Sequence, residues 1–523
     1  MRYLFIFLFL SAALSAQTPN QVPVITGLSV AADWNANTLT VTYDVSDAEN
    51  DPLEISLGLS ADGGKTYGLT AQVGATGDLG YPVVPGTGRT IICDIGQLAA
   101  LQNANFTVRL VADDKQPFDL QSLVDEVDSL RLKSDLGFLE GIRHRNTGLN
   151  HLNATRDSLR AHFSGLGLAM EEKTFAYGNA TGINILGHQP GIDSAGKVVI
   201  VDAHYDTVND APGADDNGSG VVGVMEISRL LSRYPAEKTL RYIGFDLEED
   251  GLRGSLNYTA GGIPAGEQVQ GVFNFEMIGY YSELPNSQTI PAGFDVFFPD
   301  ATAQINANQK KGDFITNVAN SKCQPLALLF SNAAMQYVPG LKVVTLVAPG
   351  DGSAFSDLLR SDHAPFWFTN RPALMLTDGA NFRNECYHTP QDMAAGKLNF
   401  TFMANVTKAT LAAAAQLAGI RHGDWATANF QGLVPATEAP DCRFALRYAS
   451  GAGSHLRITA GDCPATELRV EIHDEKGMLL QTTDLQGTAR EFTVPVPDLV
   501  PGIYFAKVAW PGGWRTLKFS VVR

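Results

Sequence analysis

The sequence predicts an α/β domain with a central mixed β-sheet sandwiched by helices, flanked by two smaller β-rich domains. Three observations lead to this prediction. Apolar and polar residues alternate with period two near the start, short buried strands alternate with helical patterns in the middle, and short strands with turn signals return at the end. The chain has 523 residues, which is too many for one ordinary domain.

Composition and charge limit the class of protein. Hydrophobic residues make up 45% and charged residues 18% of the chain, which is typical of a folded protein and not of a disordered one. The formal net charge of −17 argues against nucleic acid as a partner, because binding to nucleic acid needs a basic surface.

The N-terminus has the form of a secretory signal peptide. In MRYLFIFLFLSAALSAQ, one Arg precedes an apolar run that is too short to span a bilayer, and small residues follow. We expect residues 1–16 to be this signal peptide, with cleavage near Ala16, and the mature chain to be secreted or held at the cell surface. No later segment has the pattern of a transmembrane helix.

Five Cys residues occur in the chain, and an exported protein can form disulfides. Cys442 and Cys463 lie close together in the C-terminal segment and are the first choice for a pair. The odd count leaves at least one free thiol.

Residues 20–116 predict a small antiparallel β-sandwich. Two runs place apolar side chains on one face of a strand, namely Leu39, Val41, Tyr43 and Val45, then Leu53, Ile55, Leu57 and Leu59. The region resembles the immunoglobulin-like or fibronectin-like modules that are often fused to exported enzymes. The acids of SDAENDP could hold calcium, although a solvated turn is the simpler interpretation.

The apolar spacing becomes helical after residue 117, and residues 117–422 predict the α/β domain. Helical spacing connects Leu120 to Leu130, and a second helix is predicted from Ala154 to Phe163. Strands are predicted at KVVIVDAH, TLRYIGF, GVFNFE and PALMLT, with a helix at GVVGVMEISRLLSRY. After a polar link, residues 440–523 predict a last β-domain that contains a hairpin with its turn at Glu475–Gly477.

Acids and histidines gather where the strands of the α/β domain are predicted to end. The residues concerned are His204, Asp206, Asp215, Asp216, Glu248, Glu249, Glu276 and His388. Ligands of open α/β sheets collect beyond the carboxyl ends of the strands, and imidazole with carboxylate suits zinc. Each residue alone would more simply be structural, but together they indicate a zinc site.

Six motifs, in their order along the chain, resemble the co-catalytic di-zinc aminopeptidase family: AHYDTV, GADDNGSG, EEDGLRGS, NFEMIGY, RSDHAPFW and CYHTPQD. The resemblance covers roughly residues 120–420. It implies a zinc exopeptidase fold, two Zn²⁺ ions per chain and hydrolysis of the first peptide bond of a peptide or protein with a free N-terminus.

The same resemblance implies a set of metal ligands. His204 and Glu276 would hold one zinc ion, Glu249 and His388 would hold the other, and Asp215 would bridge the two. Many members of the family have Asp where this chain has Glu276, but Glu also coordinates zinc.

Three further residues receive catalytic roles from the resemblance. Asp206 would orient the first histidine. Glu248 would be the general base for a water activated by the metals, since one carboxylate cannot be both a ligand and a free base. Tyr387 resembles the oxyanion-stabilising Tyr of some members, whereas others place a Tyr before their SDH motif, where this chain has Leu359 and Arg360.

Two regions outside the predicted site need an interpretation. Asp362 and His363, in RSDHAPFW, are interpreted as structural. The hairpin followed by PDLVPGIYFAKV and LKFSVVR resembles the C-terminal sorting domain of type IX secretion substrates, which implies the outer-membrane secretion machinery as a partner. The alternative for this last region is a β-module used for binding or packing.

Two other functions remain as alternatives. Glutaminyl cyclases and carboxypeptidase-type relatives share similar motifs, and the cyclases bind one zinc ion instead of two. A non-enzymatic adhesion or receptor protein could keep the fold. Such relatives have lost ligands, however, and this sequence retains every expected one.

Overall fold

The computed structural model describes residues 20–101, 104–433, 444–449, 454–460, 467–486, 491–496, 499–510 and 513–521. The chain consists of two compact units, Met1–Gly432 and Leu433–Arg523. The predicted signal peptide and the predicted Cys442–Cys463 pair lie outside the described residues.

The first unit opens with seven strands that form two antiparallel sheets. These strands are β1 (Val24–Asp33), β2 (Thr38–Ser46), β3 (Leu53–Ser60), β4 (Gly74–Gly77), β5 (Gly80–Val83), β6 (Gly86–Asp94) and β7 (Asn105–Asp113). The first sheet has the order β1-β2-β6-β4, and the second contains β7-β3-β5. Val41, Ile91 and Val108 come from both sheets and are buried in one core, so this region is a β-sandwich. Its immunoglobulin-like or fibronectin-like type stays a prediction.

A mixed eight-stranded sheet forms the centre of the α/β domain. Its strands are β8 (Ala169–Tyr177), β9 (Ala180–Gln189), β10 (Ser194–His204), β11 (Lys238–Phe245), β12 (Gln268–Phe275), β13 (Ile315–Asn320), β14 (Val343–Ala348) and β15 (Ala373–Thr377). The order across the sheet is β14-β13-β15-β12-β10-β11-β9-β8. The predicted central mixed sheet is therefore present. Its middle strands are buried along almost their whole length, so their sequences are mostly apolar without the alternation of a half-exposed strand.

Ten helices accompany this sheet within the described residues. They are α1 (Leu120–Asp125), α2 (Ser129–Leu139), α3 (Leu149–Gly165), α4 (Gly220–Leu231), α5 (Arg253–Asn257), α6 (Phe294–Phe297), α7 (Pro299–Ala307), α8 (Gln324–Tyr337), α9 (His363–Phe368) and α10 (Phe400–Ala418). Helices α2, α4 and α8 contact α10, while α5 contacts α9. Apolar residues of the helices and of the sheet form one continuous core.

The helix predicted from Leu120 to Leu130 is divided in the structure. Asp119 caps α1 by accepting a hydrogen bond from Ser122 N, and Asp128 caps α2 by accepting one from Leu130 N. Leu130 is 74% exposed, although its spacing places it on the apolar face. Asp119 starts α1 and Asp128 starts α2, so two helices lie where apolar spacing alone predicts one.

Four neighbouring parallel strands direct their carboxyl ends to the same edge of the sheet. In sheet order they are β11, β10, β12 and β15. Their last residues are Phe245, His204, Phe275 and Thr377, respectively. The loops that follow these strands therefore meet at one edge, where the predicted site residues lie.

One strand lies where the sequence indicated part of a link. Strand β16 (Gly423–Gln431) pairs with β7 and completes the second sheet of the N-terminal sandwich, in the order β16-β7-β3-β5. The chain thus returns from the α/β domain to the sandwich. Gly419 makes this possible at the end of α10, because its φ of 74° lies in the left-handed region that terminates helices.

The second unit is β-rich. Its strands are β17 (Phe444–Ala449), β18 (His455–Ala460), β19 (Glu467–His473), β20 (Leu479–Gln486), β21 (Glu491–Pro495), β22 (Gly502–Trp510) and β23 (Gly513–Val521). They form a three-stranded sheet, β17-β18-β21, and a four-stranded sheet, β20-β19-β22-β23. The predicted hairpin is present as β19 and β20, with Glu475–Gly477 between them.

Among the described helices, none is long and apolar enough to cross a membrane. Cys93, Cys323 and Cys386 are buried free thiols.

Candidate metal centre

The metal centre is built on the carboxyl ends of three adjacent parallel strands. His204 is the last residue of β10, and Glu276 directly follows β12. Glu248 and Glu249 follow β11 after a sharp turn in which Leu247 has a φ of 56°. His388 comes from the loop between β15 and α10.

Two groups of side chains are arranged so that each could hold one metal ion. The first group contains His204, Asp216 and Glu276, and the second contains Asp216, Glu249 and His388. In the first, Nε2 of His204 lies 3.3 Å from Oδ1 of Asp216 and 3.5 Å from Oε2 of Glu276. In the second, Nε2 of His388 lies 2.9 Å from Oδ2 of Asp216 and 3.2 Å from Oε2 of Glu249.

Asp216 is the residue that the two groups share. Its Oδ1 atom faces one histidine and its Oδ2 atom faces the other. Both oxygens are buried and have no hydrogen-bond partner among the described residues. Nε2 of His204 and Oε1 of Glu249 are also buried without a partner there. Buried polar atoms without partners are costly, and metal ions at these positions would satisfy them.

The sequence predicted Asp215 as the shared carboxylate, but in the structure the two candidate groups share Asp216, one position further on. Asp215 is fully buried, but its Oδ1 atom accepts a hydrogen bond from Gly279 N and its Oδ2 atom accepts one from Asn384. The approach to Gly279 is close, since a Cβ atom there would lie 2.7 Å from Oδ1 of Asp215. Asp215 therefore supports the wall of the site and does not face the two histidines.

Asp392 fixes the loop that carries this pair of aspartates. Its two oxygens accept hydrogen bonds from the backbone N–H groups of Asp215 and Asp216, at 2.9 and 3.0 Å. Asp216 has φ −98° and ψ 96°, and Asn217 has φ −125° and ψ 40°, so the turn is not helical at these two residues and the side chain of Asp216 is directed away from that of Asp215. Asp392 lies within the CYHTPQD motif, but the sequence pattern indicated no role for it.

Asp206 lies beside His204, as predicted, and also holds the turn with the two glutamates. Nδ1 of His204 lies 3.3 Å from the backbone oxygen of Asp206 and 3.5 Å from Oδ1. The carboxylate of Asp206 accepts hydrogen bonds from the backbone N–H groups of Glu248, at 3.0 Å, and Glu249, at 3.2 Å. One side chain thus orients a histidine and positions both glutamates.

Glu248 belongs to neither group, although it lies next to them. Its Oε2 atom is 3.9 Å from Nε2 of His204, and the residue is 8% exposed. Burial raises the pKa of Glu248 well above its usual value. The charge of His204 acts in the opposite direction, and the carboxylates of Glu276 and Glu249 raise the pKa further. Burial, followed by repulsion from Asp216, raises the pKa of Glu249 to about 7.

The two histidines show how strongly negative the site is. Burial alone would lower the pKa of His388, but the contacts with Asp216 and Glu249 outweigh burial and raise it to about 10. Burial also opposes protonation of His204, and the surrounding carboxylates, Glu248 foremost, raise its pKa well above the usual value. An arrangement that attracts protons this strongly also attracts cations, which compete with protons for the same atoms.

Glu276 is oriented by a residue of the RSDHAPFW motif. Oγ of Ser361, which is fully buried, donates a hydrogen bond of 2.6 Å to Oε2 of Glu276. Asp362 accepts a hydrogen bond from Ser255, and Nε2 of His363 donates to the backbone oxygen of Leu358. Neither Asp362 nor His363 belongs to a candidate metal group among the described residues.

Tyr387 lies at the border of the metal centre. Its ring stacks on His388 with a centroid distance of 3.8 Å and an interplanar angle of 17°. Burial and the nearby carboxylates of Asp216 and Glu276 raise the pKa of its phenol above the usual value. From the sequence, Arg360 was only a residue that stands where some relatives have a Tyr. In the structure, its guanidinium donates a 3.0 Å hydrogen bond to the Tyr387 hydroxyl.

Arg143 is a fully buried arginine that holds the backbone next to the site, and no sequence pattern identified it. The Arg143 guanidinium donates hydrogen bonds to five backbone oxygens, those of Leu139, Gly141, Tyr205, Pro212 and Gly213. Burial lowers its pKa to about 10. These bonds connect the end of α2 to both ends of the loop between the first histidine and the aspartates. The only signal in the sequence is a charged residue in a Gly-containing loop, which is too common to be specific.

A largely apolar cavity of about 80 Å³ opens beside Glu276 and Tyr387. Its apolar side chains include Ile290, Pro291, Phe294, Ile305, Phe314, Val318, Val344, Leu346, Leu358, Met375 and Phe382. Asp357 and Arg360 are among its charged lining residues.

Comparison with known proteins relates part of the α/β domain to a peptidase family. Residues 184–414, under half of the chain, match the model of peptidase family M28. The Escherichia coli (strain K12) protein YfbL is 34% identical over 228 residues, which cover 40% of this chain and 64% of that protein. Aminopeptidase YwaD of Bacillus subtilis (strain 168) is 44% identical over 87 residues, which cover 16% of this chain and 19% of that protein.

Among solved structures, BSAP, a zinc aminopeptidase from Bacillus subtilis, is 24% identical with a TM-score of 0.35, covering 47% of this chain and 52% of that chain. The chain spans less than two thirds of the length of each of these three proteins. Residues 184–414 of the α/β domain are therefore similar to peptidase family M28.

Proposed function

We propose that this chain is a zinc-dependent aminopeptidase that uses two metal ions. The observation that carries the proposal is the position of Asp216, whose two oxygens face two different groups of ligands. His204, Asp216 and Glu276 would hold one ion, and Asp216, Glu249 and His388 would hold the other. Two histidines with three carboxylates form a donor set that suits zinc.

When bound, zinc would polarise the peptide carbonyl and make a nearby water more acidic. The protein then has to move protons. Glu248 is free for this task, since it belongs to neither group and lies 3.9 Å from a ligand atom of His204. It accepts a proton from the attacking water and delivers it to the leaving amine. Asp206 holds Glu248 in position through the backbone N–H group.

The apolar cavity beside Glu276 fits the side chain of the N-terminal residue of a substrate. Its largely apolar lining favours an aliphatic or aromatic side chain over a charged one. The cavity opens beside the candidate metal ligand Glu276, so a side chain held there would place the first peptide bond next to the metal ligands. These two features support exopeptidase cleavage after an apolar N-terminal residue.

The experiment that tests this function uses the purified chain with leucine p-nitroanilide and its N-acetyl derivative. A chelator should abolish hydrolysis of the free-amine compound, zinc should restore it, and the acetylated compound should not react. Equal hydrolysis of both compounds, or full activity after metal removal, would contradict the proposal. Cyclisation of an N-terminal glutamine without hydrolysis would indicate the glutaminyl cyclase alternative.

We also propose that the chain is exported and that its second unit serves sorting. The signal-peptide pattern of the sequence and the separate apolar core of the second unit support this proposal. Removing residues 440–523 should leave hydrolysis of leucine p-nitroanilide nearly unchanged and prevent export across the outer membrane. Normal export of the truncated chain would show that the second unit is a binding or packing module.

A further inference from the structure

Arg360 and Tyr387 form a pair at the edge of the metal centre. Nη2 of Arg360 donates a 3.0 Å hydrogen bond to the Tyr387 hydroxyl, and Nη1 donates a 2.9 Å hydrogen bond to Oδ1 of Asn381. The guanidinium carbon also lies 5.6 Å from the centroid of the Tyr387 ring. Arg360 is thus anchored at both ends of its fork while its side chain remains 39% exposed.

Tyr387 is held from two directions. Its ring stacks on His388 at 3.8 Å, and its oxygen accepts from Arg360. A phenol whose oxygen accepts a hydrogen bond from a guanidinium still has its own O–H group to donate. Tyr387 and Glu276 line the same cavity, so a substrate side chain in this cavity would lie next to Tyr387.

The segment that carries Arg360 is itself fixed to the metal centre. The next residue, Ser361, donates a hydrogen bond to Glu276, and His363 fastens the segment by donating to the backbone oxygen of Leu358. The same short segment therefore orients a candidate metal ligand and the hydroxyl of Tyr387. A change in Arg360 alone would leave the Ser361 contact in place.

We propose that Arg360 is a positioning residue that fixes the Tyr387 hydroxyl so that it donates a hydrogen bond to the carbonyl oxygen of the bond being cleaved. The inference rests on the proposed function. Negative charge develops on that oxygen during attack by water, and a donor that is fixed beforehand stabilises the charge without a reorganisation cost. Arg360 also lines the cavity, and the proposal assigns its effect on kcat to Tyr387 and not to a direct contact with the substrate.

A double-mutant cycle tests this proposal. Tyr387→Phe should lower kcat by about 10²–10³-fold, the range for loss of one oxyanion donor, with KM little changed. Arg360→Ala should lower kcat by about tenfold. In the double variant, kcat should equal that of Tyr387→Phe alone, because Arg360 has no effect once the hydroxyl is absent. Arg360→Lys should recover part of the loss, since it retains one donor.

A matched control separates this effect from general loss of an arginine. Arg233 is also 39% exposed and lies 5.1 Å from the ring of Tyr234, between the end of α4 and the start of β11, whereas the metal centre lies at the other end of that strand. Arg233→Ala should have wild-type kcat. Zinc content and melting temperature should match between Arg360→Ala and Arg233→Ala, which shows that neither metal binding nor folding explains the difference.

A binding measurement makes the test independent of turnover. The boronic acid analogue of leucine imitates the tetrahedral state, and calorimetry should show weaker binding by a similar factor in Tyr387→Phe, with no additional loss in the double variant. Additive losses in kcat, a changed KM at constant kcat, or wild-type kcat in Arg360→Ala would each overturn the role of Arg360. If the wild type shows no metal-dependent hydrolysis of free-amine substrates and does not bind the analogue, the proposed function fails, and this inference fails with it.

Discussion

Oδ2 of Asp216 lies 2.9 Å from Nε2 of His388, whereas the carboxylate of Asp215, one residue earlier, is held by Gly279 and Asn384. Two adjacent acids therefore have different tasks. Asp216 faces the metal sites and Asp215 supports the loop. This division leads to the first prediction.

Asp216→Asn should remove both metal ions from the chain, because it neutralises the carboxylate that both ligand groups share. Asp215→Asn keeps the size of the side chain and one oxygen, so metal content should stay near that of the wild type, with some loss of stability. Metal analysis of the two purified variants after dialysis gives the comparison. If Asp215→Asn loses metal and Asp216→Asn keeps it, the assignment of the shared residue is reversed.

Glu248 and Glu249 should fail in different ways when each is replaced by Gln. Glu248→Gln cannot accept a proton, so kcat should fall by about 10²–10⁴-fold while zinc content and KM stay nearly unchanged. Glu249→Gln removes an anionic ligand, so zinc content should fall together with the rate. Steady-state kinetics with metal analysis distinguishes the two. A Glu248→Gln variant with nearly full kcat would show that this carboxylate is not the base.

Arg143→Met should destabilise the first unit by at least about 3 kcal/mol, because several buried backbone oxygens lose their donor at once. Arg145→Met is the control. Arg145 is 26% exposed and pairs with Asp250, so its loss should cost no more than about 1 kcal/mol. Denaturant unfolding of the two variants in parallel measures the difference. Equal effects would show that the Arg143 bonds do not hold the loop.

His363 should make stability depend on pH. Burial lowers the pKa of His363 to about 4 in the folded protein, against about 6.5 for an unfolded chain. Between these values the unfolded state binds more protons, so this residue's contribution to the free energy of unfolding falls as pH falls from about 6.5 to about 4.

The variant that tests this is His363→Gln, whose amide can still donate to the backbone oxygen of Leu358. Relative to this variant, the wild type should lose up to about 1.4 kcal/mol per pH unit over that range. Unfolding curves at several pH values give both profiles. Parallel profiles would show that the ring is protonated in the folded protein as well.

Most of the site could be predicted because its residues follow recognisable strands. The apolar run before His204, and the run before Glu248 and Glu249, mark the strand ends, and the carboxyl ends of parallel strands share one edge. The choice between Asp215 and Asp216 could not be made in this way. It depends on the backbone conformation of a Gly-rich loop that Asp392 fixes from 176 residues away in sequence.

In the fold as well, elements set by neighbouring residues could be predicted from the sequence, and elements set by distant partners could not. The alternating pattern of Leu39, Val41, Tyr43 and Val45 predicts a strand from neighbouring residues alone, and this strand is present as β2. Strand β16 was missed because its partner, β7, precedes it by the whole α/β domain. Arg143 was missed for a similar reason, since its acceptors are backbone oxygens that no sequence pattern identifies.

Anomalous diffraction at the zinc absorption edge, from crystals of the zinc-loaded chain, would locate the metal ions. Two zinc peaks are expected on either side of the Asp216 carboxylate, one among His204, Asp216 and Glu276, and the other among Asp216, Glu249 and His388. A single peak, or a zinc ion coordinated by Asp215 instead of Asp216, would contradict this expectation.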